Sequence, residues 1–403
     1  MTATGYAAAR IVTCDPHRAG ALGVIEDGTV VVEEGRIAYV GARADAPVGV
    51  PLFEMGDRAI TPGLIDAHTH ACWVGSRHAE YDARARGADY QSIARAGGGI
   101  RSTHRAVVAA SEDDLALALT QRLRRMGAVG VTTVEVKSGY GLEAAEEKKQ
   151  LAAIARAGRV RDVPAVVPTL LALHALPPKS QDRASYVERV ARELVPEVAR
   201  ERLARFVDAY VDAEAFTADE ARLVCDAARA AGLGVRLHVG QFADVGGAEL
   251  AASLGAASAD HLEHVSAAGI AALASAGVTA VLLPVASLTL SQTPPPVSAL
   301  RAAGVPLAVA SDANPGTSPT ESLPLAMALA VLVYGLSPDE AILGVTRHAA
   351  ASLGVLDRGV LRVGARADLV IWDLPHEHAI VQPWGVAKTR LVLVEGREIH
   401  ASP

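Results

Sequence analysis

Eight short apolar runs, each followed by an amphipathic stretch, alternate between residues 60 and 311 of this 403-residue chain. They fall at 60–66, 131–137, 165–171, 206–212, 234–239, 257–260, 278–283 and 306–311, and are rich in Val, Ile, Leu and Ala. Runs of this length read as buried strands, and parallel strands buried on both faces need helical crossovers. The intervening stretches supply them. Residues 110–128 and 217–232 carry apolar side chains at helical spacing, and the second opens on Thr217 and Glu220 in a capping-box pattern. Eight such units predict an α/β fold, a (β/α)8 TIM-like barrel in preference to an open sheet. No GxGxxG or GxxxxGK(S/T) loop follows any run, as an open nucleotide-binding sheet would require.

Both chain ends follow another pattern, short strands separated by turns. Asp27-Gly28 and Glu34-Gly35 are tight-turn signals, and the tail VLVEGREI at 392–399 echoes VVVEEGRIAYV at 30–40. The echo predicts one small β-sandwich domain assembled from residues 1–57 and 358–403 around a barrel spanning 58–357; similar composition alone is the other explanation.

A net charge of -7 argues against nucleic acid as a partner. No stretch reaches the roughly 18 apolar residues of a membrane span. The N-terminal residues lack the basic and apolar regions of a signal peptide. Cys14, Cys72 and Cys225 are odd in number and far apart, which fits a reducing cytoplasm and no disulfide framework.

In a barrel, functional groups sit at the C-terminal ends of strands and on the loops that follow. His68/His70, Tyr140, His174, His238, His261 and Asp312 all fall at such positions, on six different strands. His68 and His70 are two residues apart, so in an extended segment they face one point. With His238 and Asp312 they offer three neutral nitrogens and a carboxylate, a set suited to one zinc or iron(II) ion with a position left for water. A dinuclear site bridged by a modified lysine is disfavoured, because the fourth strand ends without lysine and Lys137 ends the second. His261 follows the strand more directly than His264 and is the better candidate of that pair. His376 and His378 also form HxH, but in a polar stretch outside the barrel that reads as solvated loop. His17, His78, His104, His348 and His400 have no strand-end context.

Other residues carry weaker signals. Arg77 offers a planar fork for a carboxylate, or is a surface arginine. Tyr140 lies between Gly139 and Gly141, in a loop free to adopt unusual angles, or packs on the barrel. His174 precedes Pro177-Pro178, which would stiffen its loop. Gly97, Gly98 and Gly99 fit a flexible lid, a close backbone approach or a plain turn.

Taken together, PGLIDAHTH, the later single histidine, SADH and the SDAN aspartate resemble the amidohydrolase superfamily. Within it, VGSRHAEY, AGGGIRST, VEVKSGYGL, LALHALPP, LGAASADHLEHV and SDANPGTSPTESLPLAMALA, in this order, resemble the imidazolonepropionase family over nearly the whole chain. The resemblance implies hydrolysis of the ring of 4-imidazolone-5-propanoate to N-formimino-L-glutamate, in histidine degradation, by a homodimer. It implies metal binding by His68, His70, His238 and Asp312, and a base at His261. It implies substrate contacts from Arg77, Tyr140, His174, Gln241, Asn314, Gly316 and Thr317. One departure stands at Gln241, where some members carry an acid: a glutamine exchanges hydrogen bonds but shuttles no proton. The competing readings are an aminohydrolase acting on a purine, pyrimidine or triazine ring, which needs no carboxylate clamp, and a silent metal-binding scaffold, which needs no base.

Overall fold

The computed structural model describes residues 3–88, 90–178, 182–382 and 384–402. The chain opens with five strands, β1 (Thr4–Val12), β2 (Val24–Glu33), β3 (Arg36–Ala42), β4 (Leu52–Glu54) and β5 (Ala59–Pro62). Eight follow: β6 (Leu64–Asp66), β7 (Val131–Lys137), β8 (Ala165–Leu173), β9 (Phe206–Val211), β10 (Gly234–Val239), β11 (Ser258–His261), β12 (Thr279–Leu282) and β13 (Leu307–Val309). The last three are β14 (Leu369–Trp372), β15 (Thr389–Val394) and β16 (Arg397–Ala401).

The two ends build one sheet in the order β16-β15-β14-β5-β1-β2-β3, with β4 beside β1. Ile11, Val30 and Ile37 share a core with Leu369, Ile371 and Leu393 from the other side of that sheet. The strands from the two chain ends therefore share one small core. Its two echoing segments are hairpins. Glu34 and Gly35 have φ of 49° and 79°, and Glu395 and Gly396 have φ of 51° and 71°, as two-residue turns with positive φ at both positions require. The turns meet: a Cβ on Gly35 would lie 3.0 Å from the Glu395 carbonyl oxygen. Asp27-Gly28, expected as a turn, lies inside β2 instead, with Asp27 at φ 45° and no change of register against β1.

The first apolar run is two strands, not one. β5 pairs with β1 and β14 in the small sheet, and β6 pairs with β7. The barrel expected from residue 58 thus has its first strand at Leu64. Gly63 makes the passage possible, since a Cβ there would lie 2.1 Å from Thr132 Oγ1.

Strands β6 to β13 are parallel and neighbour one another in chain order. β13 and β6 are joined chiefly by the residues just beyond them. Asp312 N–H donates to the His68 carbonyl at 3.0 Å and His70 N–H to the Ala313 carbonyl at 3.1 Å. Ser311 donates its N–H at 3.0 Å and its hydroxyl at 2.5 Å to the Asp66 carboxylate. The closing seam therefore runs through the segments that carry three of the expected metal ligands.

Helices complete the units. The first connection carries α1 (His78–Ala85), α2 (Tyr90–Arg95) and α3 (Ile100–Ala109) ahead of the barrel helix α4 (Glu112–Ala128); α5 (Ala144–Ala157) follows β7. The helix Ala218–Ala230 starts at the expected capping box, with Thr217 Oγ1 accepting from Glu220 N–H and Glu220 from Thr217 N–H. Among the described residues, no helix is long and apolar enough to cross a membrane.

The seam yields a test. Asp66→Ala leaves the buried Ser311 N–H without its acceptor and should destabilise the fold by about 1–3 kcal/mol, read as a lower urea midpoint. Ser311→Ala, which keeps the backbone bond, should cost less.

Candidate metal centre and substrate cavity

His68 and His70 lie just past β6, His238 lies within β10, His261 ends β11, and Asp312 lies just past β13. The structure brings them together in the buried interior. His70 Nε2 is 3.2 Å from His238 Nε2 and 3.4 Å from Asp312 Oδ1, and His68 Nε2 is 3.6 Å from that oxygen. Ligand atoms of His68, His70 and Asp312 all lie within 4.8 Å of one another, as do those of His68, His238 and His261.

The ring tautomers follow from what the far nitrogens face. His68 Nδ1 is 2.6 Å from Asp260 Oδ2, and His238 Nδ1 is 3.0 Å from Asp208 Oδ2. Each Nδ1 therefore carries a proton and each Nε2 a lone pair. His68 Nε2 is buried and has no hydrogen-bond partner. Burial, with positive neighbours, lowers the pKa of His68, His70 and His238 and keeps the rings neutral. Converging lone pairs with a carboxylate beside them suit a divalent cation.

The carboxylates behind the histidines are anchored in turn. Lys137 lies between Asp208 at 2.8 Å and Glu135 at 3.0 Å, all three fully buried. Burial depresses the Lys137 pKa, but the two carboxylates outweigh it and raise it. Glu135 also accepts the Thr69 N–H at 3.1 Å, between the first two histidines. Arg236 lies 3.4 Å from Asp260 and donates to the carbonyls of Ala67 at 2.8 Å and Ser352 at 2.9 Å. Asp208, Asp260, Glu135 and Arg236 are not singled out in the sequence. The available signal is alternation: Glu135 and Lys137 alternate with Val134 and Val136 at the end of a strand.

Three non-glycine residues here have left-handed backbones, His261 at φ 82°, Leu262 at 71° and Asp312 at 53°. Such angles are costly and cluster where structure imposes an orientation. Burial alone would lower the His261 pKa, yet Glu263, with Oε2 3.8 Å from Nδ1, and the charges of Asp312 and Asp260 leave it raised. Burial pushes Asp312 up to about 7. His264 is exposed. His376 and His378 are half-exposed away from this centre, and His378 Nε2 pairs with Asp339 at 2.6 Å.

A cavity of about 40 Å³ opens on this cluster, lined by Arg77, Tyr140, His174, Gln241, Asn314 and Thr317 as well as ligand candidates. It shares Ile100, His174 and Tyr210 with an outer vestibule of about 460 Å³. The Tyr140 loop is held from α5: Glu147 accepts from Gly139 N–H at 2.8 Å and Leu142 N–H at 2.6 Å, and Gln150 from Tyr140 N–H at 3.0 Å and Gly141 N–H at 2.7 Å. His104 Nδ1 lies 2.9 Å from the Tyr140 carbonyl, a supporting contact its sequence context did not suggest. His174 Nδ1 lies 2.8 Å from the Gly139 carbonyl, and burial with neighbouring His238 lowers its pKa to about 3, so the ring is neutral.

The remaining candidates differ in how free they are. Asn314 accepts from the N–H groups of Gly316 at 2.8 Å and Thr317 at 2.7 Å, and donates to the Asp312 carbonyl at 2.7 Å and Thr317 Oγ1 at 3.0 Å. Its amide holds the eighth loop and has both N–H donors engaged. Gly316 has no side chain because Arg77 occupies the space: a Cβ would lie 2.1 Å from Arg77 Nη1. Tyr210, another lining residue absent from the sequence candidates, donates its hydroxyl to Gln241 Oε1 at 2.8 Å. That bond turns the Gln241 NH2 toward other partners.

The anchoring carboxylates should tune metal affinity. Asp260→Asn is expected to weaken binding of a divalent ion by roughly 10–100-fold with the fold retained, measured by competition with a chelator; unchanged affinity would exclude this role for Asp260.

Comparison with known proteins gives the family and the fold. The amidohydrolase family model matches residues 59–399. The chain is 50% identical over 365 residues to an imidazolonepropionase of Rhizorhabdus wittichii, covering 89% of this chain and 91% of the relative. It is 47% identical over 386 residues to one of Brucella suis, covering 94% and 95%. In fold it resembles a zinc-bound adenosine deaminase of Xanthomonas campestris, with a TM-score of 0.73 at 22% identity over 98% of this chain and 92% of that one. It also resembles a triazine hydrolase variant, with a TM-score of 0.74 at 17% identity over 99% and 94%.

Proposed function

This chain belongs to the amidohydrolase family, and within it to the imidazolonepropionases, and from that premise we infer how its own residues carry out the reaction. It is a hydrolase that opens the ring of 4-imidazolone-5-propanoate with water to give N-formimino-L-glutamate, a step of histidine degradation. The observation that supports the residue assignments is a single cavity lined both by His70, His238 and Asp312 and by Arg77.

His68, His70, His238 and Asp312 hold one divalent ion, zinc or iron. A single ion is favoured because β9 ends without lysine and Lys137 is committed to Glu135 and Asp208. Such an ion, when bound, lowers the pKa of a water from about 15.7 to about 7 and polarises a carbonyl oxygen. Asp312 accepts the attacking water's proton and passes it to the leaving ring nitrogen. His261 donates a hydrogen bond to the carbonyl oxygen as negative charge develops there. Gln241, its Oε1 occupied by Tyr210, donates Nε2–H to the ring. Arg77, Tyr140 and His174 bind the propanoate, with Thr317 beside them, while Asn314 and Gly316 position the loop that backs Arg77. The enzyme acts as a homodimer in the cytoplasm, the assembly being checked by light scattering.

Elemental analysis should find one zinc or iron per chain. His261→Ala should retain that metal while kcat falls roughly 10²–10³-fold, as for a lost oxyanion donor; metal loss in this variant would make His261 a ligand instead.

The substrate is tested through its tail, by following loss of imidazolone ultraviolet absorbance. Arg77→Ala should weaken kcat/KM for imidazolone propanoate by roughly 2–5 kcal/mol, and Arg77→Lys should be impaired less. A ring without the propanoate should be turned over nearly equally by wild type and Arg77→Ala. Faster wild-type turnover of a tail-less ring or of a purine would overturn the substrate assignment.

A further inference from the structure

Arg77 precedes α1, and Glu80 lies three residues later, within its first turn. Glu80 Oε2 accepts from Arg77 Nε at 2.9 Å and Nη2 at 2.7 Å. Its other oxygen, Oε1, accepts the Gly99 N–H at 3.0 Å. Exposed pairs at this spacing contribute little, but here the side chains are only 5% and 11% exposed. One carboxylate thus ties Arg77 to the glycine loop that adjoins the vestibule, where Gly98 and Ile100 are lining residues.

The contacts divide the guanidinium. One face lies against Gly316, where a Cβ would come within 2.2 Å of Arg77 Cζ. The Nε–Nη2 edge belongs to Glu80. What remains is the Nη1–Nη2 edge, and Arg77 lines the cavity. A guanidinium has two such edges and can take a carboxylate on each.

We propose that Glu80 is a positioning residue of the carboxylate clamp: it holds Arg77 so that its second edge receives the propanoate, and it fastens the 97–99 loop to that clamp. The inference deepens the imidazolone-propanoate reading and rests on it. Glu80 does not touch the substrate. It acts through Arg77, and its effect is confined to substrates with an anionic tail.

The experiment compares wild type, Glu80→Gln and Glu80→Ala as metal-loaded full chains, on imidazolone propanoate and on the ring without its tail. Glu80→Gln keeps the shape and removes the charge that orients Arg77. Its kcat/KM for the tailed substrate should fall by roughly 10–150-fold, the equivalent of one hydrogen bond to a charged group, with the tail-less ring turned over as by wild type. In an Arg77→Ala background the same change should have no further effect on tail preference. Glu80→Ala should also speed amide hydrogen exchange across 97–99, because the acceptor for Gly99 is gone. A rise in tail preference would show Glu80 to be a competitor for Arg77, and an equal fall on both substrates would show a merely structural part; either overturns the proposal. Should Glu80→Ala fail to fold, Glu80→Gln decides alone. A wild-type enzyme indifferent to the tail would instead defeat the substrate reading beneath it.

Discussion

The site depends on charges buried beneath it. Lys137 and Arg236 stand inside the barrel with no exposed surface, each against a carboxylate that faces a histidine. Such ions are costly to bury, and a pair of this kind is weak evidence for stability in itself. Losing one partner is another matter, costing about 3–5 kcal/mol because the survivor is left uncompensated. The network therefore locks as a unit. Lys137 and His238 hold the Asp208 carboxyl well below its ordinary range, Asp260 lies against Arg236, Nδ1 of His238 and of His68 each faces one of these carboxylates, and both Nε2 lone pairs face inward. A barrel floor of apolar residues would pack as well but would leave both rings free to choose the wrong tautomer.

The geometry above that floor comes from loops tied to one another more than from the strands. The first connection reaches the eighth through Arg77 on Gly316 and through Arg84, which donates to the Gly316 carbonyl at 3.0 Å. The second is hung from α5 by Glu147 and Gln150, and Gln150 reaches back to the Cys72 carbonyl at 2.8 Å, just past His70. Arg77, the Tyr140 loop and the histidine pair are thus set against one another by close packing and buried hydrogen bonds. Burial raises the Glu147 pKa to about 7, and the four backbone N–H groups that it and Gln150 accept are what the loop would otherwise leave unpaired.

Much of this was legible in the sequence, for identifiable reasons. The strand runs, the capping box at Thr217 and the inward-facing histidines each follow from a local periodicity, and the family motifs carried the rest of the cavity. What escaped depends on contacts between distant segments. Nothing local distinguishes Tyr210 from a strand aromatic, or Glu80 from any acid in a helix's first turn. Gly63 looks like a glycine in a strand until Thr132 is seen against it. Asn314 shows the opposite case: its place in SDAN marks it as functional, but its hydrogen bonds turn inward onto the loop.

Arginine suits the proposed clamp for a physical reason. A lysine ammonium is a point charge that could neutralise Glu80 or attract a propanoate, but its three donors have no fixed plane. Arg77 presents a planar group with one face on glycine backbone and one edge on Glu80, so the direction of the remaining edge is set before substrate arrives. The cost of ordering a long side chain is met in the fold and not at binding. On the proposed assignment, tail binding energy would place the scissile bond against His261 and Asp312, which line the same cavity as Arg77. Under the proposed roles, separating clamp from chemistry would make the propanoate a device for aligning the ring, and tail-less rings would lack that alignment.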